Sequence, residues 1–199
     1  MLEVRDDNAA AFEELVLRYQ DRLVSLLDHL VGSRDQAEDL AQEVFLRVYR
    51  ARKSYVPGAK FSTWLFTIAN NVASNAIRTM VRRHEVRPEA RDSGPMGANP
   101  MEQLAQAASS QMPARRLAKA ETREMVRAAV ESLGERQRMA VLLSKFEGMC
   151  YAEIAEIMEL SPQAIKSLLA RARVNLRDIL TPYVDRGEQP AIGKNRNDD

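Results

Sequence analysis

Apolar residues recur every three or four positions along most of this chain, and that spacing constrains the fold more than any other feature of the sequence. Between Ala10 and Leu30 the series is Phe12, Leu15, Val16, Tyr19, Leu23, Leu26, Leu27 and Leu30. This is the period of an amphipathic α-helix with one buried face. No segment shows the alternation of apolar and polar residues that is typical of a half-buried strand. The sequence therefore predicts an all-α fold.

Glycine and proline interrupt the helical pattern and divide it into two groups. The first helix ends at Gly32, the second covers about Asp35–Arg52, and a third follows Pro57-Gly58 and runs to about Arg83. A later stretch rich in proline, glycine and serine has no periodicity, which is typical of a linker. The sequence thus predicts a first domain over residues 8–84, a flexible linker over 85–114, a second domain over 115–181 and a disordered tail over 182–199.

The single cysteine and the lack of long apolar runs indicate the cellular compartment in which the protein acts. Cys150 is the single cysteine among 199 residues, so no disulfide can form within the chain, and a reducing environment is favoured. The first residues have no apolar core of the kind found in a signal peptide. No run approaches the roughly 18 apolar residues that a membrane-spanning helix needs. We therefore expect a cytoplasmic protein without membrane insertion.

The formal net charge of +1 hides an uneven distribution of charged residues. Residues 1–48 contain eleven acidic and five basic side chains, whereas residues 49–91 contain nine basic and two acidic ones. Such blocks favour two partners of opposite sign, a basic protein surface for the first and a polyanion for the second. The alternative is that the two blocks neutralise each other within one domain.

The string YAEIAEIMELSPQAIKSLLARARVNL predicts a helix-turn-helix. A short helix is followed by a turn at Glu159-Leu160, after which Ser161 is a good N-cap and Pro162 suits the first position of the next helix. In the short helix we expect one buried side, formed by Ala152, Ile154, Ala155 and Met158. In the longer helix we expect a buried stripe of Ile165, Leu168, Leu169, Ala172, Leu176 and Ile179. In this motif the second helix enters the major groove of DNA.

The outward face of the longer helix carries no acid before Asp178. Its residues are Gln163, Lys166, Ser167, Ala170, Arg171, Arg173 and Arg177. Amide, hydroxyl and ammonium groups can bond base edges, and arginines can hold phosphates, so this face predicts duplex binding. The alternative is a merely solvated helix, but such a face usually mixes acidic and basic residues.

The third helix contains an uncharged segment, Phe61–Ile77, between basic ends. Its polar side is Thr63, Thr67, Asn70, Asn71, Ser74 and Arg78, with Trp64 at the edge and Phe61 just before. Amides can read bases, and an aromatic ring can stack on an unpaired base. The flanking cations Lys53, Lys60, Arg78, Arg82 and Arg83 could follow a phosphate backbone. The segment therefore predicts a site for single-stranded or melted DNA; the alternative is that Trp64 and Phe61 are ordinary core residues.

Three stretches together resemble a bacterial RNA polymerase sigma factor of the extracytoplasmic-function (ECF) type. They contain DLAQEVF, FSTWL-x-x-IA-x-N and KS-x-x-x-RAR, in the family's order and separated by a variable linker. The resemblance covers about residues 10–84 and 118–180. It implies a transcription initiation factor that binds core RNA polymerase, through the β′ coiled coil and the β subunit, and directs promoter-specific initiation by recognising and opening promoter DNA. An anti-sigma factor is a further partner that the family commonly has.

The resemblance also implies roles for individual residues. Asp39, Gln42 and Glu43 would dock on the β′ coiled coil. The loop Tyr55–Phe61 and the third helix would hold the minus-ten element, with Lys60, Phe61, Trp64, Asn70, Asn71 and Arg78 as its candidate residues. The longer helix of the second domain would meet the minus-thirty-five element. Two positions depart from the family: Asn75 stands where Asp is usual, and Leu168 where Arg is common.

No motif indicates catalysis. Phosphate-binding glycine loops of the GxxxxGK[ST] and GxGxxG types are absent, and His29, His84 and Cys150 are too far apart in sequence to indicate a zinc site. We expect no enzymatic activity, cofactor or metal. Two alternatives to an initiation factor remain at this point: a free-standing helix-turn-helix regulator, which leaves the third helix unexplained, and a helical protein-interaction adaptor.

Overall fold

The computed structural model describes residues 1–58, 60–86 and 113–186. Most of the predicted linker and the predicted tail beyond 186 lie outside these residues. The regular elements of the described chain are eight α-helices and one 3-10 turn, which confirms the all-α prediction. They are α1 (Leu2–Arg5), α2 (Ala9–Val31), α3 (Arg34–Arg50), the 3-10 turn (Arg52–Ser54), α4 (Phe61–Val86), α5 (Pro113–Glu131), α6 (Glu135–Lys145), α7 (Tyr151–Met158) and α8 (Pro162–Arg186).

Local side-chain chemistry explains where several helices begin and end. The Asn8 side chain accepts a hydrogen bond from the Ala11 amide at 3.1 Å and caps α2. Gly32 ends α2 with φ of 73°, a left-handed conformation that glycine adopts at little cost. Ser161 accepts from the Ala164 amide at 3.2 Å, which confirms it as the cap of α8. α8 itself continues through Pro182 to Arg186, into the segment predicted as tail.

The first domain buries one face of α2, α3 and α4 against one another. The fully buried side chains at their centre include Leu23, Leu27, Val44, Leu65 and Phe66. In the second domain, α6, α7 and α8 enclose Leu142, Leu143, Ile154, Ile157 and Ile165. Each large apolar side chain buried in this way contributes about 1.5–3 kcal/mol. The helix-turn-helix prediction is confirmed by the order and packing of α7 and α8.

The two domains pack against each other, which the sequence did not predict. Helix α4 lies against α7, and α2 lies against α5 and α6. Nearly all the buried apolar residues of the two domains form one continuous cluster. In the described part of the chain the domains are therefore joined by a shared core.

Arg138 on α6 is one of several polar links in that interface. Its guanidinium donates to the carbonyls of His29 (3.4 Å) and Leu30 (3.1 Å) at the end of α2. It also donates to the carbonyl of Glu131, the last residue of α5, and to that of Leu133 (3.1 Å) just after it. A cation at a helix C-terminus satisfies carbonyls that have no partner within the helix. Arg138 does this for two helices from different domains. Burial lowers the pKa of Arg138 below its usual value.

Two predicted burial patterns are wrong in detail. Ala152 is exposed, whereas Ile157, which was not predicted to be buried, is fully buried beside α4. Thr63, predicted on the polar side of the third helix, is 1% exposed and faces the core. No helix among the described residues is long and apolar enough to span a membrane.

Candidate nucleic-acid interface

The outward face of α8 is open to solvent. Six of its seven predicted residues are exposed, and Ser167 is half-buried. The exposed ones are Gln163, Lys166, Ala170, Arg171, Arg173 and Arg177. On the opposite side Ile165, Leu169 and Ala172 are buried against α6 and α7, which fixes the orientation of the helix. The structure thus brings the candidate residues for the minus-thirty-five element together on one accessible face.

Two of the arginines on this face have local partners. Arg173 donates from Nε to the Leu169 carbonyl at 3.3 Å, and Arg177 lies 3.7 Å from the carboxylate of Asp178. Both contacts are within the helix and leave the guanidinium groups on the surface. They orient the side chains without covering the face.

The residues predicted to hold the minus-ten element lie around a cluster of four aromatic rings. Tyr19, Tyr55, Phe61 and Trp64 are all half-buried. The ring centroids of Tyr55 and Trp64 are 5.3 Å apart, those of Tyr19 and Phe61 also 5.3 Å, and those of Phe61 and Trp64 6.0 Å. Tyr19, which comes from α2, was predicted only as part of the apolar face of the first helix and not as a member of this cluster. Tyr19, Phe61 and Trp64 pack against the hydrophobic core, and their partial exposure leaves part of the cluster accessible from solvent.

An open cavity of about 320 Å³ lies beside Trp64. It is lined by Ser54, Tyr55, Val56, Trp64, Thr67 and Glu156. The volume falls within the range of about 300–1,000 Å³ usual for small-molecule sites. An aromatic wall with hydroxyl groups around it is a suitable environment for a flat, polar-edged ring.

The remaining candidates on α4 differ in accessibility. We call the predicted set Lys60, Phe61, Trp64, Asn70, Asn71 and Arg78 the α4 surface. Asn71 and Arg78 are exposed, whereas Asn70 is half-buried and donates to the Ile157 carbonyl of α7 at 3.4 Å. Ser74, on the same side of the helix, donates to the Glu135 carboxylate of α6 at 2.7 Å. The second domain therefore contacts part of the polar side of α4.

Lys60 is also in contact with the second domain. Its ammonium lies 2.8 Å from the carboxylate of Glu153, which in turn accepts from the Cys150 amide at 2.8 Å as part of a capping box at the start of α7. The hydrogen bond from Lys60, with that from Cys150, lowers the pKa of Glu153 to about 2, and the same bond raises the pKa of Lys60. Both groups therefore remain charged throughout the neutral range.

The basic residues before the loop have a partner that the sequence did not predict. Asp7 forms ion pairs with Arg52 and Lys53, and hydrogen bonds from Lys53 and Arg52 lower the pKa of Asp7. Asp7 itself has a φ of 65°, an uncommon conformation outside glycine. The N-terminal segment thus neutralises Lys53, one of the cations that were expected to follow a phosphate backbone. The separation of 46 positions between Asp7 and Lys53 explains why no local pattern indicated the pair.

The predicted polymerase-docking residues share one side of α3. Asp39 and Gln42 are exposed, and Glu43 is half-buried and pairs with Arg47 at 2.7 Å. Leu46 follows on the same side with 49% of its surface exposed. An exposed leucine beside acidic and amide groups is a suitable anchor for a protein partner. Leu46 was not predicted from the sequence, although its position one turn after Gln42 was a usable signal.

Among the described residues, no group of three His, Cys, Asp or Glu side chains is arranged to hold a metal ion. His29 lies instead at the domain interface, with its ring 5.5 Å from that of Phe146 and Nδ1 2.7 Å from the Ser25 carbonyl. The features of the site are thus helical faces, aromatic rings and cations. Together they define an all-helical protein with a helix-turn-helix and a second, aromatic-lined surface on the first domain.

Comparisons with known proteins agree with that class. The family model "Sigma-70 region 2" matches residues 15–83, and "Sigma-70, region 4" matches residues 123–176. The chain is 33% identical over 183 residues to the ECF RNA polymerase sigma-E factor of Escherichia coli K12, covering 92% of this chain and 93% of that protein. It is 31% identical over 181 residues to the RNA polymerase sigma-H factor of Pseudomonas aeruginosa, covering 91% and 92%.

A solved structure shares the fold. The sigma factor RpoE of Bartonella quintana, crystallised with the anti-sigma factor NepR, aligns with a TM-score of 0.67 and 24% identity, covering 88% of this chain and 99% of that chain. The chain belongs to the ECF family of RNA polymerase sigma factors. It therefore binds core RNA polymerase and directs promoter-specific transcription initiation, as the resemblance implied, and the regulator and adaptor alternatives are set aside.

Proposed function

We propose that the two DNA-facing surfaces divide promoter recognition between them. Helix α8 holds the duplex of the minus-thirty-five element through Gln163, Lys166, Ser167, Ala170 and Arg171, with Arg173 and Arg177 on phosphates. The α4 surface and the loop before it trap unpaired bases of the minus-ten element. On this assignment, residues 8–84 act in polymerase binding and promoter opening, and residues 115–181 in upstream recognition. The protein acts in the cytoplasm by binding alone, without catalysing a reaction of its own.

The observation that carries this proposal is the aromatic cluster beside the open cavity. Separating the strands costs a few kcal/mol for each unstacked step. Stacking a base on an aromatic side chain returns about 1–3 kcal/mol. Trp64 lines both the cluster and the cavity, so it can receive a base that leaves the duplex. Asn71 and Arg78 remain exposed further along α4 for contacts to the following bases and phosphates.

Binding of α8 to the minus-thirty-five element supports the trapping of unpaired bases, because it keeps the minus-ten element at a high local concentration near α4. Two modules in one chain make the second binding event intramolecular. The duplex contact needs no strand separation because the exposed face of α8 fits the major groove. Run-off transcription with core polymerase on a pool of random promoters tests the proposal, since the selected sequences should contain two conserved elements at a fixed spacing. Selection of a single element would contradict the division of labour.

Changing Lys166 and Arg171 to alanine together is expected to lower promoter-specific transcription at least tenfold. The two side chains are exposed on α8, and each good contact to a base is worth about 1–3 kcal/mol of discrimination. The measurement is run-off transcription by the reconstituted holoenzyme. The control, Arg18→Ala with Arg136→Ala, removes the same positive charge from exposed positions outside α8. Equal effects of the two pairs would assign the loss to net charge alone.

Changing Asp39 and Gln42 to alanine together is expected to weaken binding to core polymerase about tenfold while the domain stays folded. Both side chains are exposed on α3 and make no contact that the core of the domain requires. The readout is the dissociation constant for core enzyme from a titration, with circular dichroism as the test of folding. Glu13→Ala removes an exposed carboxylate from α2 and should bind normally. Normal binding by the double variant would contradict the docking role of α3.

An anti-sigma factor is the third partner we propose. The related RpoE of Bartonella quintana was solved in complex with an anti-sigma factor. Co-purification of the tagged chain from its own cells, followed by mass spectrometry, tests the proposal. We expect a specific protein that blocks transcription by the reconstituted holoenzyme when it is added back.

A further inference from the structure

The first eight residues form a compact segment that has no part in the surfaces described so far. The short helix α1 packs on α2 and on the 3-10 turn Arg52–Ser54. Val4 of α1 is 1% exposed and belongs to the hydrophobic core. Asn8 then caps α2. The N-terminal segment is therefore anchored to the first domain at both ends, and it places Asp7 beside the 3-10 turn.

Asp7 adopts a backbone conformation that is unfavourable for its residue type. Its φ is 65°, in the left-handed region that glycine enters freely and residues with a side chain enter at a cost. Among the described residues other than glycine, only Glu159 at the end of α7 shares this feature. Such conformations persist where the surrounding structure holds them, and they cluster at functional sites. The side chain of Asp7 therefore supplies something that glycine could not supply at this position.

The carboxylate of Asp7 holds the 3-10 turn through two consecutive cations. Oδ1 accepts from Nε of Arg52 at 2.8 Å, and Oδ2 accepts from the ammonium of Lys53. These hydrogen bonds lower the pKa of Asp7, so the carboxylate is charged at neutral pH. Arg52 is fixed on its other side as well, since Nη1 donates to the Tyr49 carbonyl at 2.9 Å and the guanidinium carbon lies 4.0 Å from the centroid of the Tyr49 ring. The turn is thus tied both to α3 and to the N-terminal segment.

The 3-10 turn leads directly into the cavity beside Trp64. Ser54, its last residue, lines that cavity together with Tyr55 and Val56, which follow it. The ring centroid of Tyr55 is 5.3 Å from that of Trp64. Tyr55 is half-buried and Val56 is 77% exposed, so burial does little to fix this part of the chain. The placement of this cavity wall therefore depends on what holds the preceding turn.

We propose that Asp7 is a positioning residue for the capture of unpaired bases, because its carboxylate fixes the 3-10 turn and so sets the place of Tyr55 opposite Trp64. This inference rests on the proposed role of the α4 surface and the loop before it. Asp7 itself does not touch DNA. Its pairing with Arg52 and Lys53 also engages two cations that could otherwise bind phosphates of any sequence. Loss of the carboxylate should therefore impair promoter opening more than it impairs binding to duplex DNA.

The variant Asp7→Gly separates positioning from folding. It removes the carboxylate, but it also relieves the unfavourable backbone conformation, so we expect little change in the free energy of unfolding. Trp64 is the only tryptophan of the chain, and its fluorescence therefore reports on the cavity. In the free full-length protein we expect Asp7→Gly to shift the emission maximum to longer wavelength and to raise the acrylamide quenching constant, because the Tyr55 wall no longer shields the indole ring.

The second measurement is promoter opening by holoenzyme reconstituted with each variant, followed by permanganate reactivity. We expect Asp7→Gly to open the promoter about fivefold more slowly, at the low end of the range usual for coupling between linked sites. Binding to duplex promoter should not change, because α8 is untouched. Asp7→Asn tolerates the left-handed conformation and keeps an acceptor for Arg52, so it should recover most of the opening rate. The matched control is Asp6→Gly, which removes the same charge at a neighbouring position where the carboxylate lies 3.6 Å from Arg5. It should leave both fluorescence and opening unchanged.

The possible results distinguish this inference from the proposed function. Greater exposure of Trp64 together with slower opening, both specific to Asp7→Gly, would support the positioning role. Unchanged quenching in Asp7→Gly would overturn it, while the proposed function would stand if Trp64→Ala still slowed opening. Greater exposure of Trp64 with opening at the normal rate would show that the cavity does not hold a base, and the proposed function would fail as well. Equal effects of Asp6→Gly would assign the change to net charge and would overturn the positioning role alone.

Discussion

Replacing Trp64 by alanine is expected to slow promoter opening by the holoenzyme about tenfold or more. Trp64 is half-buried beside Tyr55 and Phe61 and lines an open cavity, so its ring can stack on an unpaired base. Such stacking is worth about 1–3 kcal/mol for each base, and about 1.4 kcal/mol corresponds to a factor of ten. The measurement is permanganate reactivity of unpaired thymines as a function of time after the holoenzyme is mixed with promoter DNA.

Two controls distinguish loss of stacking from loss of structure. Trp64→Phe keeps an aromatic ring and should retain most of the opening rate. Phe146→Ala removes another aromatic ring, 59% exposed and located on the second domain, and should leave opening unchanged. Thermal unfolding of each variant shows whether the substitution has destabilised the domain that contains the aromatic cluster. Opening at the normal rate by a folded Trp64→Ala protein would show that the ring does not hold a base.

Replacing Arg138 by methionine is expected to lower the free energy of unfolding by about 3 kcal/mol. The guanidinium bonds carbonyls at the ends of α2 and α5, and methionine leaves these acceptors without that partner. A hydrogen bond to a charged group contributes about 1.5–3 kcal/mol, and water that enters the interface recovers part of the loss of several such bonds. Urea unfolding of the full-length chain, followed by circular dichroism, gives the value.

Arg136→Met is the matched control for this prediction. Arg136 lies two positions earlier on α6 and is exposed, so its replacement should change the stability by less than about 0.5 kcal/mol. Arg138→Lys keeps the positive charge but loses the forked guanidinium that reaches two helix ends. Its free energy of unfolding should therefore lie between those of Arg138→Met and Arg136→Met. Equal stability of Arg138→Met and Arg136→Met would mean that the hydrogen bonds of Arg138 contribute nothing to the link between the domains.

Much of the fold was predictable because it depends on contacts between near neighbours in sequence. Apolar spacing at three and four positions indicated the helices, and the cap at Ser161 followed from residue type. The exposed face of α8 was predictable for the same reason, since residues that lie opposite Ile165, Leu169 and Ala172 must point away from their own domain. Family membership was predictable because three motifs occur in the right order.

The sequence could not show which helices from distant parts of the chain would pack against one another. Helical spacing identified one buried side of α7, but α7 also packs against α4, so Ile157 is buried and Ala152 is exposed. The pair between Asp7 and Lys53 and that between Lys60 and Glu153 join residues far apart in the chain. The polar side of α4 looked like a free surface because nothing nearby in sequence covers it.

The sequence alone therefore determined the helices, the helix-turn-helix, its exposed face and the family. Only the tertiary structure decided that the two domains share a core, that Arg138 joins the ends of two helices and that carboxylates of the second domain contact Lys60 and Ser74. The physical reason is the range of the interactions. Helix formation and capping are settled within about four residues, whereas the docking of one amphipathic surface on another depends on shape and charge brought together from distant parts of the chain.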